Sequence, residues 1–290
     1  MNEVLPKVWI EQLVRLQLGI APADALGSPR RLVTVEVFSE NVPRPHSIAP
    51  WRGLAPDPSI GLPRLRRTPS ARYSIVFGSS ASRTGRVVVR IVDRFGEFVP
   101  RRLSIPVHNL VRILSNERAV ERNPSTPRLS RACRPLLYPS MRYGMPAGAT
   151  VVRGRAVFGA SRKLAQWTRV RANPAGRTSP TWYGHGDGNG EFVVFVGQVP
   201  AATAKELTDT LGLDVTVFAR PIPPDAAPAD SPSQSRDDPL WLLPIEVVPR
   251  RPTTDDVMSG IRTPPGYTAR TTQRVTCRRG GFTPLQQFVL

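Results

Sequence analysis

The sequence predicts an all-β fold: two β-sandwiches in tandem, with extended Pro- and Arg-rich loops and a C-terminal tail. Three observations predict it. Short runs rich in Val, Ile, Thr and aromatic residues recur with period-two alternation, the signature of half-buried strands. Proline is 32 of 290 residues, which disfavours helix interiors and central strands and favours turns. Only one stretch, AATAKELTDTL (201–211), has a helical composition without punctuation.

Taken in order, residues 1–9 read as an arm. Alternation starts at Glu11 and reads as a strand, with a helix over residues 5–18 as the competing reading. LGSPR (26–30) is a turn and RLVTVEVF (31–38) a strand. Residues 41–69 hold seven prolines and form a loop too long to be a simple connection. Strands resume at 72–77, 85–92 and 98–107, with DRFGE (93–97) turning a hairpin through Gly96. Residues 10–110 therefore predict the first sandwich, with no helix. Residues 111–150, charged and Pro-containing, read as a connector. A second sandwich spans 151–249, with strands at 151–158, 166–172, 181–183, 191–196, 213–219 and 241–248; Pro244 places the last at an edge or a bulge. Residues 250–290 read as a tail. Its YTARTTQRVTC segment (267–277) alternates and can add a strand to its own domain or to a neighbour's edge.

The net charge is +18, and of 40 basic residues only Lys7, Lys163 and Lys205 are lysine. Arginine is favoured where planar, bidentate contacts are made, as in interfaces and phosphate sites; coding by a GC-rich genome gives the same bias. Acidic protein partners or, as the alternative, nucleic acid fit this charge. Cys133 and Cys277 stand outside any zinc or redox spacing. The start resembles no signal peptide, and no apolar run approaches a membrane span. A cytoplasmic protein is the expectation.

The strongest local cluster is WYGHGDGNGEF (182–192). Asp187, Asn189 and Glu191 alternate as in the first half of a calcium loop but lack the distant bidentate Glu, and a tight hairpin explains them as well. The histidines His46, His108 and His185 are scattered, and no nucleophile–base or metal-binding motif is present. The expectation is therefore no enzyme, no cofactor and no metal. Interface candidates are Trp9 and Trp51, in segments without a core of their own, the basic residues Arg64, Arg66, Arg67, Arg278 and Arg279, and Tyr267. Arg30–Arg31, Arg101–Arg102 and Arg250–Arg251 are further basic pairs.

Three segments carry a resemblance: VRGRAV (152–157), WTRVRA (167–172) and GDGNGEFVVF (186–195). Their order resembles the carboxypeptidase regulatory-like, or transthyretin-like, β-sandwich, an Ig-like non-catalytic module. SARYSIVF (70–77) resembles the matching strand of a diverged first copy. The wider layout, with FVPRRLSIP (98–106), RPLLYP (134–139), MPAGAT (145–150) and PPGY (264–267), resembles small proteins associated with phage-tail-like contractile injection systems. That resemblance implies a structural or adaptor subunit at the cap or another tail terminus, or at the baseplate. It would contact sheath, tube, cap or baseplate proteins. The 41–69 loop departs from the pattern.

Overall fold

The computed structural model describes residues 16–27, 29–40, 64–69, 72–77, 85–129, 132–159, 161–197, 209–221, 240, 243–249, 263–264 and 266–290. The fold is all-β, with one α-helix among the described residues. In the first part of the chain lie β1 (Leu16–Ile20), β2 (Ala23–Asp24), a 3-10 helix (Pro29–Thr34), β3 (Val35–Ser39), β4 (Tyr73–Phe77), β5 (Gly85–Asp93), β6 (Arg101–Val107), α1 (Leu110–Arg122), β7 (Ala132–Cys133) and β8 (Leu136–Leu137). Then come β9 (Thr150–Val157), β10 (Arg169–Pro174), β11 (Trp182–His185), β12 (Glu191–Val196), β13 (Thr210–Ala219), β14 (Ile245–Val247), β15 (Ala269–Arg278) and β16 (Gln286–Val289).

The sheets gather around two hydrophobic cores. Sheets β14-β6-β5-β3 and β4-β1-β7 enclose the first. Alternation builds it: Val87, Val89 and Ile91 of β5 face inward with Val37 of β3 and Leu103 of β6, while Arg90 turns the other way. Sheets β11-β10-β13-β15 and β12-β9-β16 enclose the second, where Val215, Val217, Phe192 and Phe288 pack. Gly154 is required here. A Cβ on it would meet the Phe192 ring at 2.3 Å, so the ring lies directly on the backbone of β9.

Several expectations are corrected. Residues 31–34 lie in the 3-10 helix, so the strand begins at Val35. The strand expected from Gln166 begins at Arg169, after a turn. The supposed connector contains α1, capped by the Asn109 side chain accepting from Arg112 N at 2.9 Å, and β7 and β8, which pair in parallel with β1 and β2. Of the helix expected at 201–211, residues 201–208 lie outside the described residues, and Thr210 and Leu211 belong to β13. β14, read as a strand of the second sandwich, pairs in parallel with β6 of the first group; it sits at the sheet edge, one of the two places Pro244 allows. The tail is not an appendage. β15 makes ten pairs with β13, and β16 pairs with β9. The arm and most of the 41–69 loop lie outside the described residues.

Candidate functional site

Among the described residues, buried ionisable side chains gather on and around β6. β6 is buried along its whole length. Its neighbours Arg101 and Arg102 point to opposite faces, and both are completely buried. Arg102 stands opposite Arg90 in the β5–β6 ladder, a like-charge pair that is unfavourable alone. Glu40, just after β3, resolves it. Its carboxylate accepts from Arg90 Nε, and from Arg102 Nε at 2.9 Å and Nη2 at 2.6 Å.

On the other face Arg101 donates bidentately to Glu246 of β14, Nε at 2.9 Å and Nη2 at 2.7 Å, and its Nη1 reaches Leu136 O at 2.7 Å. Arg169, from the second group of sheets, approaches the same carboxylate at 3.1 Å. Glu246 is thus shared between arginines of the two halves. Around it, the Arg169 guanidinium lies 5.8 Å from the Tyr267 ring centre, and Tyr267 donates its hydroxyl to Trp167 O at 2.6 Å. Tyr138 stacks on His185 at 4.3 Å, and Phe195 meets Tyr143 edge-on at 5.6 Å. Val99, Trp167 and Leu243 form a small apolar cluster of their own. Trp167 adopts φ +56°, a costly backbone for a large residue; its N–H donates to Asp187 O at 3.0 Å.

The electrostatics of this seam follow from burial and pairing. Burial raises the Glu246 pKa, but the charges of Arg101 and Arg169 and their hydrogen bonds outweigh it and hold the carboxyl below its ordinary value. Burial works against the Arg101 charge, and Glu246 overcomes it, raising that pKa. Burial pushes Tyr138 up to about 12 and raises Tyr267 as well. All four shifts lead away from neutrality, so these groups keep one charge state across the physiological range.

The calcium-loop candidates Asp187, Asn189 and Glu191 line a cleft of about 340 Å³ together with Gly96, Ser140 and Arg142. There Asp187 acts as a turn former. Its Oδ1 accepts from Asn189 N at 2.8 Å and Glu191 N at 3.0 Å, and Gly190 turns at φ +70°. Burial raises the Asp187 pKa, and Glu191 is paired with Arg155. Among the described residues no group of three or more His, Cys, Asp or Glu side chains could hold a metal ion.

The interface candidates scatter. Trp9 and Trp51 lie outside the described residues. Arg64 is exposed and binds Glu36 at 2.6 Å, Arg66 is exposed, and Arg67 donates to Val33 O at 2.8 Å. Arg278 is exposed at the end of β15, and the backbone of Arg279 continues that ladder to Asp209. Tyr267 is corrected: it is buried in the seam, because its ring covers Arg169. The pair Arg101–Arg102, read as surface charge, is interior. The seam itself was missed, since its partners are far apart in sequence; the one local signal was Glu246, an acid inside an apolar strand run.

Comparison of the chain with family models, with curated proteins and with solved structures finds no match. Among the described residues no helix is long and apolar enough to cross a membrane.

Proposed function

We propose that this chain is a structural adaptor subunit acting through protein–protein contacts. The particle its layout resembles is a phage-tail-like contractile one, with the subunit at the cap or another tail terminus. One observation supports the reading above others. The ionisable groups that the fold gathers are locked in buried pairs, and one of them, Arg169 with Glu246, joins the two β-rich halves, an arrangement suited to holding shape. Outside that seam the chain offers arginine-rich strand surface and exposed apolar side chains such as Phe95, Val111, Phe282 and Leu285. A strongly basic surface suits contact with acidic protein surfaces.

The test is tagged expression in the native host, gentle lysis, affinity capture, mass spectrometry and negative-stain imaging. Co-recovery with sheath, tube, cap or baseplate subunits in particles is expected. Recovery only as a free monomer would overturn the reading.

A further inference from the structure

We infer that the free edge of β15 accepts an added β-strand, an extended acidic segment of a partner protein; this deepens, and rests on, the assembly reading above. β15 ends the order β11-β10-β13-β15, and among the described residues no strand pairs with its other side. Its ladder with β13 runs unbroken for ten pairs, and β15 itself contains neither Pro nor Gly. That is about twice the usual strand length; of the usual edge guards, shortness, Pro and a bulge are missing and charged side chains are the one present.

The phase of the ladder decides what the edge presents. Arg279 N donates to Asp209 O at 2.8 Å, which places the hydrogen-bonded pairs with β13 at odd-numbered residues of β15. The N–H and C=O groups of Arg270, Thr272, Arg274, Thr276 and Arg278 therefore point to the free edge. The same five residues expose their side chains, while Val275 and Cys277 turn into the core. One row of residues thus offers main-chain pairing and, at every second position, a guanidinium. Arg274 already illustrates the preference, binding Asp214 at 3.0 Å across the strand pair.

Charge selects the occupant. A second copy would bring the same arginines to the same face, and like charges across a ladder repel. A strand with Glu or Asp at alternating positions meets them with attraction. Main-chain bonds supply the affinity and the arginine row supplies the selection and the approach.

The probe is a labelled peptide of about ten residues alternating Glu and Thr, titrated by fluorescence anisotropy into the full chain at about 50 mM salt. Saturable binding is expected, roughly tenfold tighter than for the Lys/Thr peptide. Thr272→Pro removes a donor that the β13 ladder does not use, so the sheet should persist while binding falls roughly tenfold or more. Arg270→Glu with Arg278→Glu should weaken it similarly. Should Thr272→Pro fail to fold, a peptide N-methylated on its pairing side takes its place, and it is expected not to bind. Binding unaffected by Thr272→Pro or by N-methylation overturns the inference. So does an equal-length oligothymidylate that binds wild type and Thr272→Pro alike and displaces the peptide, since the arginines then act as a plain polyanion surface. In native capture, particles recovered with both wild type and Thr272→Pro remove the edge and leave the adaptor reading standing. Wild type recovered as a monomer removes that reading, and the peptide result still decides the edge.

Discussion

Glu246 is the carboxylate on which both halves depend, because it holds a buried guanidinium from each, Arg101 and Arg169. Glu246→Gln keeps the shape and deletes the charge, leaving Arg101 and Arg169 uncompensated. Breaking a buried pair this way costs about 3–5 kcal/mol, and urea denaturation at neutral pH should show that loss. The same residue sets a pH dependence. Its folded pKa lies below the ordinary 4.5, so its contribution is full above that value and is lost as pH falls through the folded one. The gap between wild type and Glu246→Gln should therefore close on acidification; a gap undiminished at about pH 3 would contradict the pairing. Asp187 runs oppositely: burial raises its pKa, so its charge costs stability at neutral pH and acidification relieves it.

Among the elements, β15 and β16 change the meaning of the C-terminal region. Composition marks residues 250–290 as a tail, yet ten ladder pairs with β13 and the seat of Phe288 beside Phe192 make it structural. A chain ended after Arg251 should lose the second core, with a collapse of strand signal in circular dichroism and of soluble yield. A folded, soluble truncation would show the two strands to be dispensable. Most strands were legible because alternation and β-branched residues mark them locally; β12 at Glu191–Val196 matches its expected bounds. α1 was not legible. Ile113 is its buried residue while Val111 and Leu114 remain exposed, so no apolar stripe marks its face. Only the Asn109 cap announced it. β14 was legible as a strand but not in its partner, for nothing local tells a three-residue strand which sheet it joins. The seam was illegible for the same reason at larger range: Glu40 and Arg102 are 62 positions apart, and Arg101 and Glu246 are 145 apart.

For the whole molecule, the contacts between the cores are numerous and of different kinds: a shared carboxylate, a Tyr138–His185 stack, a Phe195–Tyr143 edge contact and the Val99–Trp167–Leu243 cluster. The two halves should therefore unfold together. Far-ultraviolet dichroism and tryptophan fluorescence are expected to trace one coincident transition in urea. Two separated transitions would mean that the seam binds weakly. The chain visits the cores alternately, leaving the first after Tyr143, returning to it at β14 and ending in the second. This order has a consequence during synthesis. A nascent chain emerging from the ribosome cannot close its first core until Val248 has been translated, nor its second until Phe288 has. Folding of the second core therefore waits for Phe288, and a translation product interrupted before it lacks a finished half.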